Sequence, residues 1–136
     1  MIAWIVAGLI LLLPPDFKEM ARSTKTVSAL GPPGSVAKEE YKAWTDATGR
    51  VIHVFWWEPA APRPGGPMAV AEEWTENVNG ETIKVVKTSM FFGSSQEVLA
   101  AYFKHSKPEA QILIYAKGMP RKEFGDILRT VRFNNR

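Results

Sequence analysis

The chain contains no cysteine, and its 136 residues include two histidines, His53 and His105. The absence of cysteine excludes disulfide bonds, thiol nucleophiles and metal sites built on thiolates. Neither histidine belongs to a His-x-x-x-His or Glu-x-x-His pair, the spacings by which helices present zinc ligands. We therefore expect no metal ion and no cofactor.

Sequence motifs of common enzyme classes are also missing. The chain has no Gly-x-Ser-x-Gly elbow, no P-loop and no Gly-x-Gly-x-x-Gly fingerprint. Gly65-Gly66 precedes a possible helix start, but Pro67 removes one of the N–H groups that would bind a phosphate there. The sequence favours a binding domain over an enzyme, and a small enzyme with a dispersed active site stays open.

Charged side chains are absent from residues 2–13, an apolar run that ends at Pro14-Pro15. As a helix this run would span about 18 Å, whereas a membrane of about 30 Å needs roughly 20 apolar residues. Its length matches the apolar region of a secretory signal, about 7–15 residues. However, no Lys or Arg precedes it, no cleavage site follows closely, and no cysteine could accept a lipid.

Two interpretations of residues 2–13 remain. The first is a signal or anchor that makes the protein exported or membrane-associated, and the second is a buried terminal element of a cytoplasmic domain. We favour the first, and divide the chain into a signal-like segment (1–13), a Pro/Gly-containing lead-in (14–35) and one domain (36–136). A hydrophobic content of 46% is sufficient for a folded core.

The basic residues are concentrated in the second part of the chain. Residues 1–83 contain seven basic and ten acidic side chains, whereas residues 84–136 contain ten basic and four acidic ones. Such asymmetry can mark an anionic partner. The candidates are Lys117, Arg121, Lys122, Arg129 and Arg132. An ordinary solvated surface explains the same pattern, and nucleic acid is not the partner we favour.

The order of predicted elements indicates an α+β fold with an antiparallel sheet of five to six strands and helices packed on the sheet. Residues 24–30 could form an edge strand, and residues 41–47 and 51–57 are predicted to form a hairpin whose second strand is apolar on both faces. A helix is predicted over residues 67–78, ending at Asn79-Gly80. Strands over 82–92, 97–104 and 110–116 follow, and then an amphipathic helix over 121–132.

This order resembles that of the PsbP-like domains, which include small exported bacterial proteins of the LpqN and DcrB type. The matching features are the hairpin, the helix ending at Gly80, a meander ending in Ile-Leu-Ile-Tyr, and a closing Phe-x-x-Ile-Leu-x-x-Val-x-Phe helix. The resemblance covers residues 36–133. It implies a binding or accessory role rather than a particular chemistry.

The best candidate for a binding surface is the Phe-Trp-Trp-Glu segment followed by the Pro/Gly-rich loop. Adjacent strand residues point to opposite faces, so Trp56 and Trp57 cannot both enter one core layer. An uncovered tryptophan would form an aromatic binding patch with His53 and Arg63, although core packing explains both indoles as well. We expect a domain that binds a protein, a lipid or a small ligand.

Overall fold

The computed structural model describes residues 2–6, 9–28, 31, 33–58, 68–106 and 109–133. These residues form eleven strands and one helix. The elements are β1 (Ile2–Val6), β2 (Leu9–Leu13), β3 (Lys18–Ser28), β4 (Val36–Thr45), β5 (Val51–Trp57), β6 (Ala69–Val78), β7 (Glu81–Phe91), β8 (Ser94–Ser95), β9 (Leu99–Ser106), β10 (Glu109–Lys117), α1 (Arg121–Leu128) and β11 (Arg132–Phe133).

The strands form two antiparallel sheets. In the large sheet the strand order is β3-β4-β5-β10-β9-β7-β6, and the short β8 pairs with the end of β7. The small sheet has the order β1-β2-β11, so that strands from the two ends of the chain are neighbours. Its last pairing joins Arg132 to Ile10 and Phe133 to Leu9.

The predicted α+β class is wrong, because 65% of the chain is strand and 8% is helix. The large sheet has eight strands rather than five to six, and the helix predicted over residues 67–78 is the edge strand β6. Asn79 and Gly80 have φ values of 54° and 81°, and Val78 pairs with Glu81 across them. Two residues at positive φ make the tight turn of a hairpin, so Asn-Gly here joins two strands.

Other predicted elements are confirmed. β4 and β5 form the expected hairpin, and β7, β9 and β10 correspond to the three predicted strands. β3 is an edge strand, although residues 29–30 of the predicted one lie outside the described residues. The final helix starts at Arg121 as expected, but it ends at Leu128 because the chain then turns into β11.

One face of the large sheet is covered by the small sheet and α1. Leu9, Leu11 and Leu13 of β2 are almost fully buried there, in the same cluster as Trp44 and Phe124. The backbone N–H of Leu12 donates to Thr130 Oγ1 at 2.9 Å. Residues 9–13 are therefore a buried element of the core. Within the described residues, no helix is long and apolar enough to cross a membrane.

The opposite face of the large sheet has a second, smaller apolar cluster. Its buried members come from β4, β5, β7, β9 and β10 and from the segment before β9: Ala37, Trp57, Val86, Phe91, Val98, Ala100, Leu113 and Tyr115. β5 thus contributes apolar residues to both clusters, which confirms the prediction of a two-sided central strand.

Arg50 connects the β4–β5 turn to the start of α1. Its Nε donates to Asp46 Oδ2 at 2.7 Å, and its Nη1 forms an ion pair with Glu123 of α1. Burial alone would raise the pKa of Asp46, but hydrogen bonds from Thr48 and Arg50 outweigh it and lower this pKa to about 2. The start of α1 is thus fixed against the edge of the sheet.

Candidate functional site

Trp56 and Trp57 lie on opposite faces of β5, as their adjacency predicts. Trp56 is 8% exposed and belongs to the main core, whereas Trp57 is 1% exposed and belongs to the second cluster. Both indoles are core residues, so neither forms an exposed aromatic patch. Arg63, the third predicted member of that surface, lies outside the described residues.

His53 lies in an aromatic cluster that we define as Tyr41, His53, Phe55, Phe91, Phe92 and Tyr115. The His53 and Tyr115 rings are stacked with centroids 4.2 Å apart, and Tyr41 Oη lies 2.6 Å from His53 Nδ1. Phe92 follows the end of β7 and has a positive φ of 53°. Its ring centroid lies 6.0 Å from that of Phe55. No local sequence pattern predicts this contact between Phe92 and Phe55.

The aromatic cluster holds its polar groups uncharged. Burial, with a smaller contribution from the Lys117 charge, lowers the pKa of His53 to about 4. Burial also raises the pKa values of Tyr41 and Tyr115. At neutral pH the His53 ring is therefore neutral, and its Nδ1 shares a hydrogen bond with the Tyr41 hydroxyl group. This arrangement fixes the rings against the sheet.

The five basic candidates do not form one free cationic surface. Arg129 is paired with Glu76 at 3.0 Å and with Asp126. Arg132 donates to the backbone carbonyls of Arg129 and Val131. Lys117 and Lys122 are exposed, at the end of β10 and in the first turn of α1. Arg121 is the member that lines a cavity.

That cavity, which we call the Trp74 cleft, has a volume of about 370 Å³ and lies between the edge of the large sheet and the start of α1. Val98, Leu99, Ala116 and Met119 are buried and form its apolar floor. Charged side chains lie at its rim: Glu72, Lys87, Glu97 and Arg121. An apolar floor with a few polar groups is the usual composition of a small-ligand site, and this volume is at the lower end of the usual range.

Trp74 forms one wall of the cleft and is held on two sides. The Arg121 guanidinium carbon lies 3.9 Å from the centroid of the indole ring. The indole Nε1 donates to Glu76 Oε1 at 3.3 Å, and Glu76 also binds Arg129. The sequence prediction had placed Trp74 on the buried stripe of a helix. The alternation Glu72-x-Trp74-x-Glu76 is the signal that would have placed all three on one strand face.

A second cavity, of about 540 Å³, opens where β7 and β9 separate. Their pairing ends at Val85 and Ala101, so Ile83 and Lys84 diverge from Phe103 and Lys104. Ile83 and Phe103 belong to the main core side, whereas Lys84 and Tyr102 lie on the other face. This cavity is an opening between strand edges, and Ile83 and Phe103 are its buried apolar lining residues.

In the described part of the chain, no three His, Asp or Glu side chains gather where they could hold a metal ion. Comparison of the chain with protein-family models, curated proteins and solved structures gives no match. The resemblance to PsbP-like domains therefore stays a prediction.

Proposed function

We propose that this chain is a small binding domain that holds a small organic ligand in the Trp74 cleft. The observation that supports this proposal most directly is the pairing of a buried apolar floor with an indole wall and a cation stacked on it. Burial of an apolar ligand surface on such a floor supplies affinity, and the rim charges supply orientation.

The position of the cleft supports the same proposal. It lies between two elements that are separately fixed: β6 by its hairpin with β7, and the start of α1 by the Arg50–Glu123 ion pair. A cavity with rigid walls loses little conformational entropy when a ligand enters. Export, which we predict from residues 2–13, is a separate proposal. Because β2 belongs to the core, it requires that these residues stay on the mature chain, which fractionation and N-terminal sequencing test.

Ligand screening by NMR tests the proposed site. The ¹⁵N-labelled full chain is titrated with a panel of small aromatic and aliphatic acids, amines and amino acids at millimolar concentration. We expect compounds that bind to shift the Trp74 indole N–H and the amides of Leu99 and Met119, and to leave the Trp57 indole unchanged. A Trp74→Phe variant identifies the indole signal.

Two results would contradict the proposal. One is binding that shifts only residues away from the cleft, for instance around Tyr41 and His53. The other is the absence of any shift across the panel in a protein whose spectrum shows that it is folded.

A further inference from the structure

Two charged side chains at the rim of the Trp74 cleft have no ionic partner among the described residues. They are the Glu72 carboxylate and the Arg121 guanidinium, both exposed. By contrast, Lys87 Nζ lies 3.5 Å from Glu97 Oε1, so these two largely neutralise each other. The cleft therefore presents one uncommitted anion and one uncommitted cation above an apolar floor.

The cation is oriented by its contact with Trp74. A guanidinium stacked on an aromatic ring keeps its N–H donors at its edges, where they can bind a carboxylate in a bidentate manner. The guanidinium carbon lies 3.9 Å from the ring centroid, and the Arg129–Glu76–Trp74 chain of hydrogen bonds holds the ring beneath it. The site thus offers a positioned hydrogen-bond donor for an oxyanion.

The two charges belong to the two elements that border the cleft, β6 and α1. Glu72 and Trp74 are two residues apart on one face of β6, a distance of about 7 Å along a strand. Arg121 lies over Trp74, so a molecule between the two charges can donate to Glu72 at one end and accept from Arg121 at the other. A charge-assisted hydrogen bond at each end would orient such a molecule, with its apolar part on the floor of the cleft.

We infer that the ligand of the Trp74 cleft is a zwitterion of the amino-acid type with an apolar side chain. Its carboxylate binds Arg121, its ammonium binds Glu72, and its side chain rests on Leu99, Ala116 and Met119. This inference rests on the proposed function, since it names the ligand class for the same cleft.

A matched set of three probes tests the inference. L-phenylalanine has both charges, 3-phenylpropionate lacks the ammonium, and phenethylamine lacks the carboxylate. We expect L-phenylalanine to bind roughly fivefold more tightly than either analogue, which is the size of one exposed ion pair. Arg121→Gln should abolish its advantage over phenethylamine alone, and Glu72→Gln its advantage over 3-phenylpropionate alone.

The neighbouring charges provide controls. Lys122→Gln and Glu73→Gln remove an exposed charge beside each test residue without altering the cleft lining, and both should preserve the two advantages. Equal binding of all three probes in the cleft would overturn the zwitterion and leave the proposed function intact. The same holds if only other compounds of the NMR panel bind there. Failure of every compound to bind the cleft overturns both.

Discussion

Replacing Leu11 by alanine should destabilise the protein strongly, because this side chain is 0% exposed in the middle of β2. The substitution removes three carbon atoms from the core, worth about 2.4 kcal/mol of transfer free energy at about 0.8 kcal/mol each. The cavity left behind adds to this loss, since buried Leu→Ala substitutions cost about 2.7–5.0 kcal/mol in a well-packed core. We expect a decrease of about 3–4 kcal/mol in the free energy of unfolding.

Leu12 offers a control of the same residue type in the same strand. It points away from the main core and is only partly buried, so Leu12→Ala should cost about 1 kcal/mol. Urea titration of the full chain, followed by the fluorescence of buried indoles such as Trp44, measures both free energies. Mass spectrometry confirms that residues 1–13 are still present.

The comparison separates the two interpretations of the apolar run. If residues 2–13 were a leader that the folded domain does not use, the two substitutions would have equal and small effects. A Leu11→Ala protein within about 0.5 kcal/mol of the parent, with an unchanged urea dependence, would refute the assignment of β2 to the core.

Three further predictions concern polar groups and one turn. The pKa of Asp46 is about 2 in the folded state and 3.8 in the unfolded state, so the ionised carboxylate should stabilise the protein by about 2 kcal/mol above pH 4. This contribution should be lost as the pH falls from 4 to 2. The Asp46→Asn variant should lack that pH dependence of stability, and an acid unfolding transition equal to that of the parent would contradict the prediction. The pKa of His53 is about 4 in the folded state and 6.5 in the unfolded state, so its contribution to stability should be present above pH 6.5 and lost as the pH falls toward 4. The free energy of unfolding should decrease by on the order of 3 kcal/mol over this range. NMR titration of the ring in a His105→Gln background measures this pKa, and a value near 6.5 would argue against the burial of the ring. Gly80→Ala should lower the free energy of unfolding, measured by heat or urea, by about 1 kcal/mol, because a φ of 81° is unfavourable for alanine. An unchanged free energy of unfolding would show that the turn relaxes.

The wrong helix over residues 67–78 has a specific cause. Met68, Ala71, Trp74 and Val78 recur at three- and four-residue steps, which predicts one face of a helix. The three-residue steps depend on Ala71, which is exposed in β6, whereas the four-residue step from Trp74 to Val78 keeps side chains on one side of a strand as well. Trp74 and Val78 do face the core, but from an edge strand whose remaining residues are mostly polar. The stronger local signal was Asn79-Gly80, which favours a two-residue hairpin turn.

The C-terminal helix was predictable because large apolar side chains mark every step of its spacing, without an alanine among them. Phe124, Ile127 and Leu128 combine a three-residue and a four-residue step, which no strand places on one face. By contrast, the sequence of the apolar run 2–13 does not reveal the two-residue periodicity of a strand. Leu9, Leu11 and Leu13 are buried while Ile10 and Leu12 are less so, but all five are apolar, and alternation is invisible in the sequence.

The candidate site could not have been predicted as a site from the sequence. Glu72 and Trp74 were assigned to a helix, and Arg121 was one of five basic candidates without a stated neighbour. What brings them together is the long-range pairing order of the large sheet and the position of α1 beside β6. Of the residues that line the proposed site, Arg121 was among the basic candidates, whereas Trp74 was not among the predicted binding residues.

The pairing of β2 with β11 has a consequence for synthesis of the protein. Leu9 and Ile10 are synthesised well before their partners, Phe133 and Arg132. At about 5–20 residues per second, the interval is on the order of ten seconds. During that time β2 lacks one of its two neighbouring strands, and its apolar side chains are exposed on the nascent chain. Cellular factors that recognise targeting signals can therefore bind this segment before the protein folds.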